Sequence, residues 1–150
     1  MRLGEEQIRD ILAAAQECGE GADLHGHNLS DMGLFGADLE GANLVQADLR
    51  STNLTRANLR RARLSEANLS QATLGMADLR EADLHGANLF QASLYMADLR
   101  DADLHDTSLR GANLGKADLR GANLRGARYD SYTRWPLGLD PHKRSSGTAR

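Results

Sequence analysis

The chain is poor in the residues that usually staple, break or fill a domain. It has one cysteine, Cys18, so neither an intramolecular disulfide nor a cysteine-based metal cluster is open to it. Its two prolines, Pro136 and Pro141, both lie near the end. Six aromatic residues among 150 (two Phe, three Tyr, one Trp) are too few for a core built from large rings. No apolar run approaches membrane-spanning length. Near the N-terminus the longest is Ile11 to Ala15, too short for a secretory signal, so a cytoplasmic location is expected. Neither sign of charge dominates: 18 Lys plus Arg face 21 Asp plus Glu, a net charge of −3. That balance excludes a strongly basic nucleic-acid binder, and direct nucleic-acid binding is not expected. The 41% hydrophobic and 26% charged fractions are those of a globular chain of single-domain size.

What the chain has instead is a repeat. Leucine occupies every fifth position from Leu24 to Leu124 without a miss, and Tyr129 takes the next slot. Two residues before each centre stands alanine in 18 of 22 units, the exceptions being His27, Met32, Thr52 and Thr107. Between them lies mostly Asp or Asn, so the unit reads A-(D/N)-L-x-x. A five-residue period fits no regular element. On an α-helix each step of five drifts by about 140°, which spirals the leucines around the axis. On one continuous strand it throws alternate leucines to opposite faces. The chain must therefore turn once per unit. Within a unit Ala and Leu are two apart, so in an extended segment both point inward and the Asp or Asn points out. Glycine fills the second corner position in seven units (Gly26, Gly36, Gly41, Gly86, Gly111, Gly121, Gly126), as a turn favours. The number of units per coil follows from a longer echo. Met76 to His85 reads MADLREADLH and Met96 to His105 reads MADLRDADLH, nine matches in ten at a lag of 20. Four units per coil are predicted, with coils stacked at about 4.8 Å.

Units such as ADLEG (37–41), ANLVQ (42–46), ADLRE (77–81) and the run GANLRGA (121–127) resemble the pentapeptide-repeat family. The resemblance implies an all-β fold, a right-handed four-sided parallel β-helix. It covers residues 22 to 130. The stretch Tyr129-Asp130 through Thr133-Arg134-Trp135-Pro136-Leu137-Gly138-Leu139-Asp140-Pro141 also resembles a tail common in that family, with Leu139 where Phe is usual.

Both open ends of such a solenoid need covering. Glu5 to Cys18 carries Ile8, Ile11, Leu12 and Ala15 at helical spacing, acids in its first turn and Gly19 as a stop, and is predicted to be a short capping α-helix. At the other end Tyr129, Tyr132, Trp135, Leu137 and Leu139 form an aromatic cap, and Pro136 and Pro141 oppose further strand pairing. The expected organisation is an N-terminal helical cap over 1–21, a solenoid of about 5.5 coils over 22–130, a C-terminal cap over 131–141 and a disordered tail over 142–150. Tyr132, Trp135, Leu137 and Leu139 are candidates for an end cap or a dimer contact, giving a monomer or a homodimer through the C-terminal end.

The lag of 20 sorts the outward residues into faces. One carries Asp38, Asn58, Asp78, Asp98 and Asp118 beside Glu40, Arg60, Arg80, Arg100 and Arg120, read as a column of charges that neutralise one another. The next carries Asp23, Asn43, Arg63, Asp83, Asp103 and Asn123, with His25, His85 and His105. Weak metal binding by this His/Asp ladder is a possible reading, but side chains fanning into water with nothing to orient them do not make a site, so no metal and no cofactor is assigned. A nearly uncharged face carries Thr73, Ser93, Gly75 and Tyr95. Around it Met76, Phe90, Tyr95 and Met96 form the candidate interaction patch. Catalytic residues are not expected, because a convex prism spreads side chains apart where a catalytic set must converge.

The predicted function is a non-catalytic structural or protein-interaction scaffold with an unassigned protein partner. The resemblance implies one alternative, since some members of the family are dimeric rods that mimic DNA, bind DNA gyrase and protect it from quinolones. Mimicry demands a dense negative surface. Residues 21 to 130 hold 15 acids against 12 bases, and the arginine column would meet a basic saddle with the wrong sign.

Overall fold

The computed structural model describes residues 3–145. From Asp23 onward the chain forms a square tower in which each unit contributes one bridged residue. Parallel bridges join residues 20 apart in 18 of 19 cases, beginning with Asp23 to Asn43 and including Asp78 to Asp98 and Ser108 to Arg128. Four units thus close each coil. Leu24 through Leu124 are buried, most of them completely, and the alanines beside them are buried with few exceptions. Full burial of a leucine contributes about 1.5–3 kcal/mol.

Every corner has the same backbone shape. The second residue after each leucine has φ between 55° and 74° from Gly26 to Gly126, and at 14 of these 21 positions it is not glycine. The amide after the corner closes the turn onto the leucine carbonyl, as from Ala82 N to Leu79 O at 3.1 Å. A positive φ at the third of the four turn residues is the requirement of a type II turn. For an L-residue the left-handed conformation costs about 1–2 kcal/mol. Residues such as Arg56, Glu66 and Met96 hold it because the corner amide is tied to the next coil, as from Met96 N to Gly115 O at 3.0 Å.

The taste for Asp or Asn beside the leucine has an equally local cause. In the unit Ala77 to Glu81, Asp78 N donates to the coil below, to Ala57 O at 3.0 Å. Leu79 N and Glu81 N donate to the coil above, to Asp98 O at 2.8 Å and Arg100 O at 3.0 Å, while Ala77 N closes the preceding turn. The amide of Arg80 faces outward, and the Asp78 carboxylate accepts its proton at 3.1 Å. The same bond from residue i+2 recurs at Asn28, Asp48, Asn53, Asn68, Asp83, Asn88, Asp98, Asn113 and Asn123. Asp and Asn are the side chains of the right length for this two-residue reach.

Helix α1 spans Glu5–Cys18. It ends at Gly19, whose φ of 68° lets Glu20 N return to Ala15 O at 3.1 Å. Ile8 is buried, and Ile11, Leu12 and Ala15 pack on the leucine core beside Met32 and Leu34. Gly21 joins helix to tower so tightly that a β-carbon there would collide with the Gly41 carbonyl.

At the far end the register slips by one. Arg134 bridges Asn113 at a lag of 21, so Thr133-Arg134-Trp135 adds a rung within the stretch assigned from the sequence to the cap alone. Asp130 absorbs the extra residue. Its carboxylate accepts the Gly111 amide at 3.0 Å, a donor that at other corners bonds a carbonyl, and also takes the amides of Tyr132 and Thr133. Burial pushes the Asp130 carboxyl up, but these hydrogen bonds outweigh it and hold the group below its ordinary value. Residues Pro141–Ser145, expected to belong mostly to the disordered tail, form a short helix α2. The remainder of that tail, 146–150, lies outside the described residues.

Two substitutions test this architecture. Ala82→Phe overpacks a completely enclosed site and is expected to destabilise by more than about 1 kcal/mol, read as a lowered melting midpoint. Asn68→Ala strands the Ser70 amide and is expected to cost about 1 kcal/mol, whereas Asn68→Asp keeps the acceptor and should melt much closer to the parent.

Candidate interaction surfaces

The Asp/Arg face is paired from Asp78 to Arg120. Arg100 and Arg120 fold back onto the carboxylates two residues earlier, Nη2 lying 2.6 Å from Asp98 Oδ2 and Asp118 Oδ2, and Arg80 does the same with Asp78. Two of them also reach the next coil: Arg80 Nε lies 3.7 Å from Asp98 and Arg100 Nε 3.7 Å from Asp118. Like charges stack up each column, Asp78 under Asp98 under Asp118, but the arginine column runs beside the acidic one and neutralises it, so the face presents no block of one charge. Arg60 shows the rule by departing from it. Asn58 offers it no carboxylate, and it turns with Arg61 to Glu81 at 3.0 Å.

The neutral face is shaped by glycine. Tyr95 stands in a column whose neighbours above and below are Gly75 and Gly115, and its ring covers Gly115 closely enough that a β-carbon there would sit 3.2 Å from Cδ2. Met96 follows it at the corner. Met76, one coil away, donates its amide to Tyr95 O at 3.0 Å. Lys116 Nζ sits 5.7 Å from the ring centroid. Met76, Tyr95 and Met96 therefore form one ridge. Phe90 is exposed too and occupies the matching position one unit earlier, on the preceding face. Phe35, in the Tyr95 column and more exposed than any of them, was not among the candidates; it lines a cleft of about 160 Å³ with Ile8, Leu12 and Met32 of the helix junction.

The C-terminal candidates divide. Trp135 and Leu139 pack on the core, Trp135 edge-on to Tyr129 with ring centroids 5.3 Å apart. Tyr132 is 79% exposed, and Leu137 is fully so. Trp135 takes a leucine position on the extra rung, which the unbroken five-residue count in the sequence disguised.

On the histidine face His85 and His105 stack at 3.7 Å between centroids, and Asp106 at the adjoining corner brings its carboxylate to them. Asp106 was not among the ladder residues singled out from the sequence; the signal was its place at the corner following His105.

Arginine pairing has a titration signature. The hydrogen bond from Arg120 leads in lowering Asp118 from the ordinary 3.8 to about 2, and Arg80 and Arg100 lower Asp78 and Asp98 in the same way. Between pH 4 and 2 the unfolded chain thus binds more protons than the folded one. The stability these pairs contribute is present above pH 4 and is expected to fall as pH drops toward 2. A carboxyl-detected NMR titration should place the Asp118 midpoint near 2 and return it toward 3.8 in Arg120→Gln.

Among the described residues no helix is long and apolar enough to cross a membrane. Comparison with curated proteins returned no match. Among solved structures the chain is similar to HetL, a pentapeptide-repeat protein involved in heterocyst differentiation regulation from the cyanobacterium Nostoc sp. PCC 7120, at 36% identity over 90% of this chain with a TM-score of 0.71. It spans 57% of HetL's length. It also matches alr5209, a pentapeptide-repeat protein from Nostoc PCC 7120, at 34% identity over 89% of each chain and a TM-score of 0.44. QnrB1, a plasmid-mediated fluoroquinolone resistance protein, matches at 18% identity over 78% of this chain and 69% of its own, with a TM-score of 0.45. The profile of the Pentapeptide repeats family matches in eight copies over residues 34–71, 67–106 and 97–128, well over half of the sequence. The chain belongs to the pentapeptide-repeat family, whose fold is the right-handed four-sided β-helix.

Proposed function

We propose that this protein is a rigid, non-catalytic scaffold that binds a protein partner through the ridge of Met76, Tyr95 and Met96. The observation that carries the reading is the seating of Tyr95 between two glycines on the face with least charge. A flat, rigid ring raised on an uncharged wall and bordered by two methionines is the type of side-chain cluster that anchors interfaces. The Asp/Arg face from Asp78 to Arg120 is occupied by its own internal pairing. The chain is similar to HetL, a protein involved in regulating heterocyst differentiation, and a scaffold that binds a partner is compatible with a regulatory role of that kind. Phe90 would belong to a separate contact. In this reading the protein acts in the cytoplasm.

The two ends have different tasks in the same proposal. Helix α1 shields the first coil, and Trp135 and Leu139 shield the last, so that neither open edge recruits further strands. Tyr132 and Leu137 point away from the tower and would meet a second copy end to end.

Gyrase mimicry is disfavoured because each arginine from Arg80 to Arg120 cancels a carboxylate in place. A DNA supercoiling assay is expected to show no effect on gyrase at micromolar protein, and inhibition or protection would revive that alternative. The scaffold reading is tested by capturing partners from native lysate and identifying them. Tyr95→Ser with Met96→Ser should release a partner that Phe90→Ser retains, at an unchanged melting midpoint, and retention by the double variant would rule the ridge out. Light scattering on Tyr132→Ser with Leu137→Ser reads the end contact: a dimeric parent that becomes monomeric supports it, and a monomeric parent ends it.

A further inference from the structure

The stacked histidines stand apart from the interaction ridge and from the charge ladder, and they are arranged unlike the other ladders on the tower. His105 Nδ1 lies 2.8 Å from Asp103 Oδ1. At neutral pH a carboxylate only accepts, so this nitrogen carries the proton, and Nε2 of His105 is left with its lone pair free. Asn123 Nδ2 donates to the same carboxylate oxygen at 3.0 Å and fixes it from the next coil. A carboxylate that orients a histidine through its far nitrogen is the arrangement metal-binding imidazoles commonly require. The sequence alone offered no such group, which was the reason for assigning no metal.

His85 supplies a second observation. Its Nδ1 is buried from solvent and has no hydrogen-bond partner. Asp83, the residue that corresponds to Asp103 one coil below, accepts the His85 backbone amide at 3.0 Å, as Asp103 does that of His105, but its other oxygen takes Ser65 Oγ at 3.1 Å. No hydrogen bond fixes Nδ1 of His85, and the ring lies stacked on His105. The third group is Asp106, and the donor atoms of His85, His105 and Asp106 all lie within 4.8 Å of one another.

We propose that His85, His105 and Asp106 form a binding site for a divalent transition metal, with Zn²⁺ as the ion the donor set fits. Two imidazoles and one carboxylate leave a fourth tetrahedral position for water. Nitrogen and carboxylate donors together favour zinc or its first-row neighbours over calcium or magnesium. The lone pairs lie in the ring planes, so face-to-face rings cannot both aim at one ion. Binding requires the stack to open, and His85, with no partner to lose, is the ring that swings. An ion held this way links two adjacent coils and the corner between them and raises the stability of the folded chain by mass action. It is independent of partner binding through the ridge.

The test uses the full chain without an affinity tag, stripped with chelator and titrated with Zn²⁺ by calorimetry and with Co²⁺ by visible absorption. One ion per chain is expected, together with tetrahedral Co²⁺ bands and a higher melting midpoint in Zn²⁺. His105→Ala and Asp106→Ala should each weaken binding at least about tenfold, and the positioning variant Asp103→Asn about tenfold, with the metal-free melting midpoint close to the parent's. Because His85 contributes a lone pair, His85→Gln should abolish the Co²⁺ bands. A double variant at His25 and His27 should bind like the parent. No binding heat and no tetrahedral bands with the parent protein would overturn the proposal, as would binding undiminished in His105→Ala.

Discussion

Every feature of this molecule depends on satisfying five backbone amides in each pentamer. Two donors serve the coil above, one serves the coil below, one closes the turn, and one faces outward. Only the last lacks a backbone acceptor, and the Asp or Asn side chain two residues earlier supplies it. Those demands explain the motif more fully than hydrophobicity does. Leucine and alanine fill the interior, but the polar residue between them is there for an amide. The left-handed corner is the cost of turning every five residues, and the ladder to the neighbouring coil offsets it at 14 non-glycine positions.

The regular stacking has a second consequence, at the surface. Side chains 20 residues apart are forced into register, so any charge repeated at that interval would confront its own kind. Asp78, Asp98 and Asp118 are tolerable because Arg80, Arg100 and Arg120 run beside them. Where the ladder omits the acid, at Asn58, the arginine finds Glu81 instead. The histidine column meets the same constraint differently. Its rings stack, and one nitrogen is left with nothing to bond.

Irregularity is confined to the ends. At the start, Met32 and His27 replace alanine where α1 meets the first coil, with Ile8 buried against it. At the finish, one inserted residue shifts the register, and Asp130 substitutes its side chain for the missing carbonyl so that Thr133 and Trp135 can complete a last rung. Thr133 Oγ1 then donates to Leu109 O at 2.9 Å, repeating the bond from Thr52 Oγ1 to Leu29 O at 2.8 Å near the other end.

The sequence by itself determined the period, the inward leucine and alanine columns, four units per coil and the positions of α1 and its stop at Gly19. These follow from local rules, because a five-residue repeat excludes both regular elements and a lag of 20 counts the sides. It also identified the charge columns as self-neutralising, since register stacks Asp78 on Asp98 and Arg80 on Arg100 and sets the two columns side by side. Tertiary structure decided what depends on contacts between coils. The left-handed backbone at Glu66 or Met96 has no local signature, being imposed by a carbonyl one coil away. The slip at Asp130 is invisible to a count of five. Dividing Trp135 from Tyr132 and bringing Asp106 to the histidines required knowing which way each side chain leaves the square, and that direction is fixed by packing across the stack.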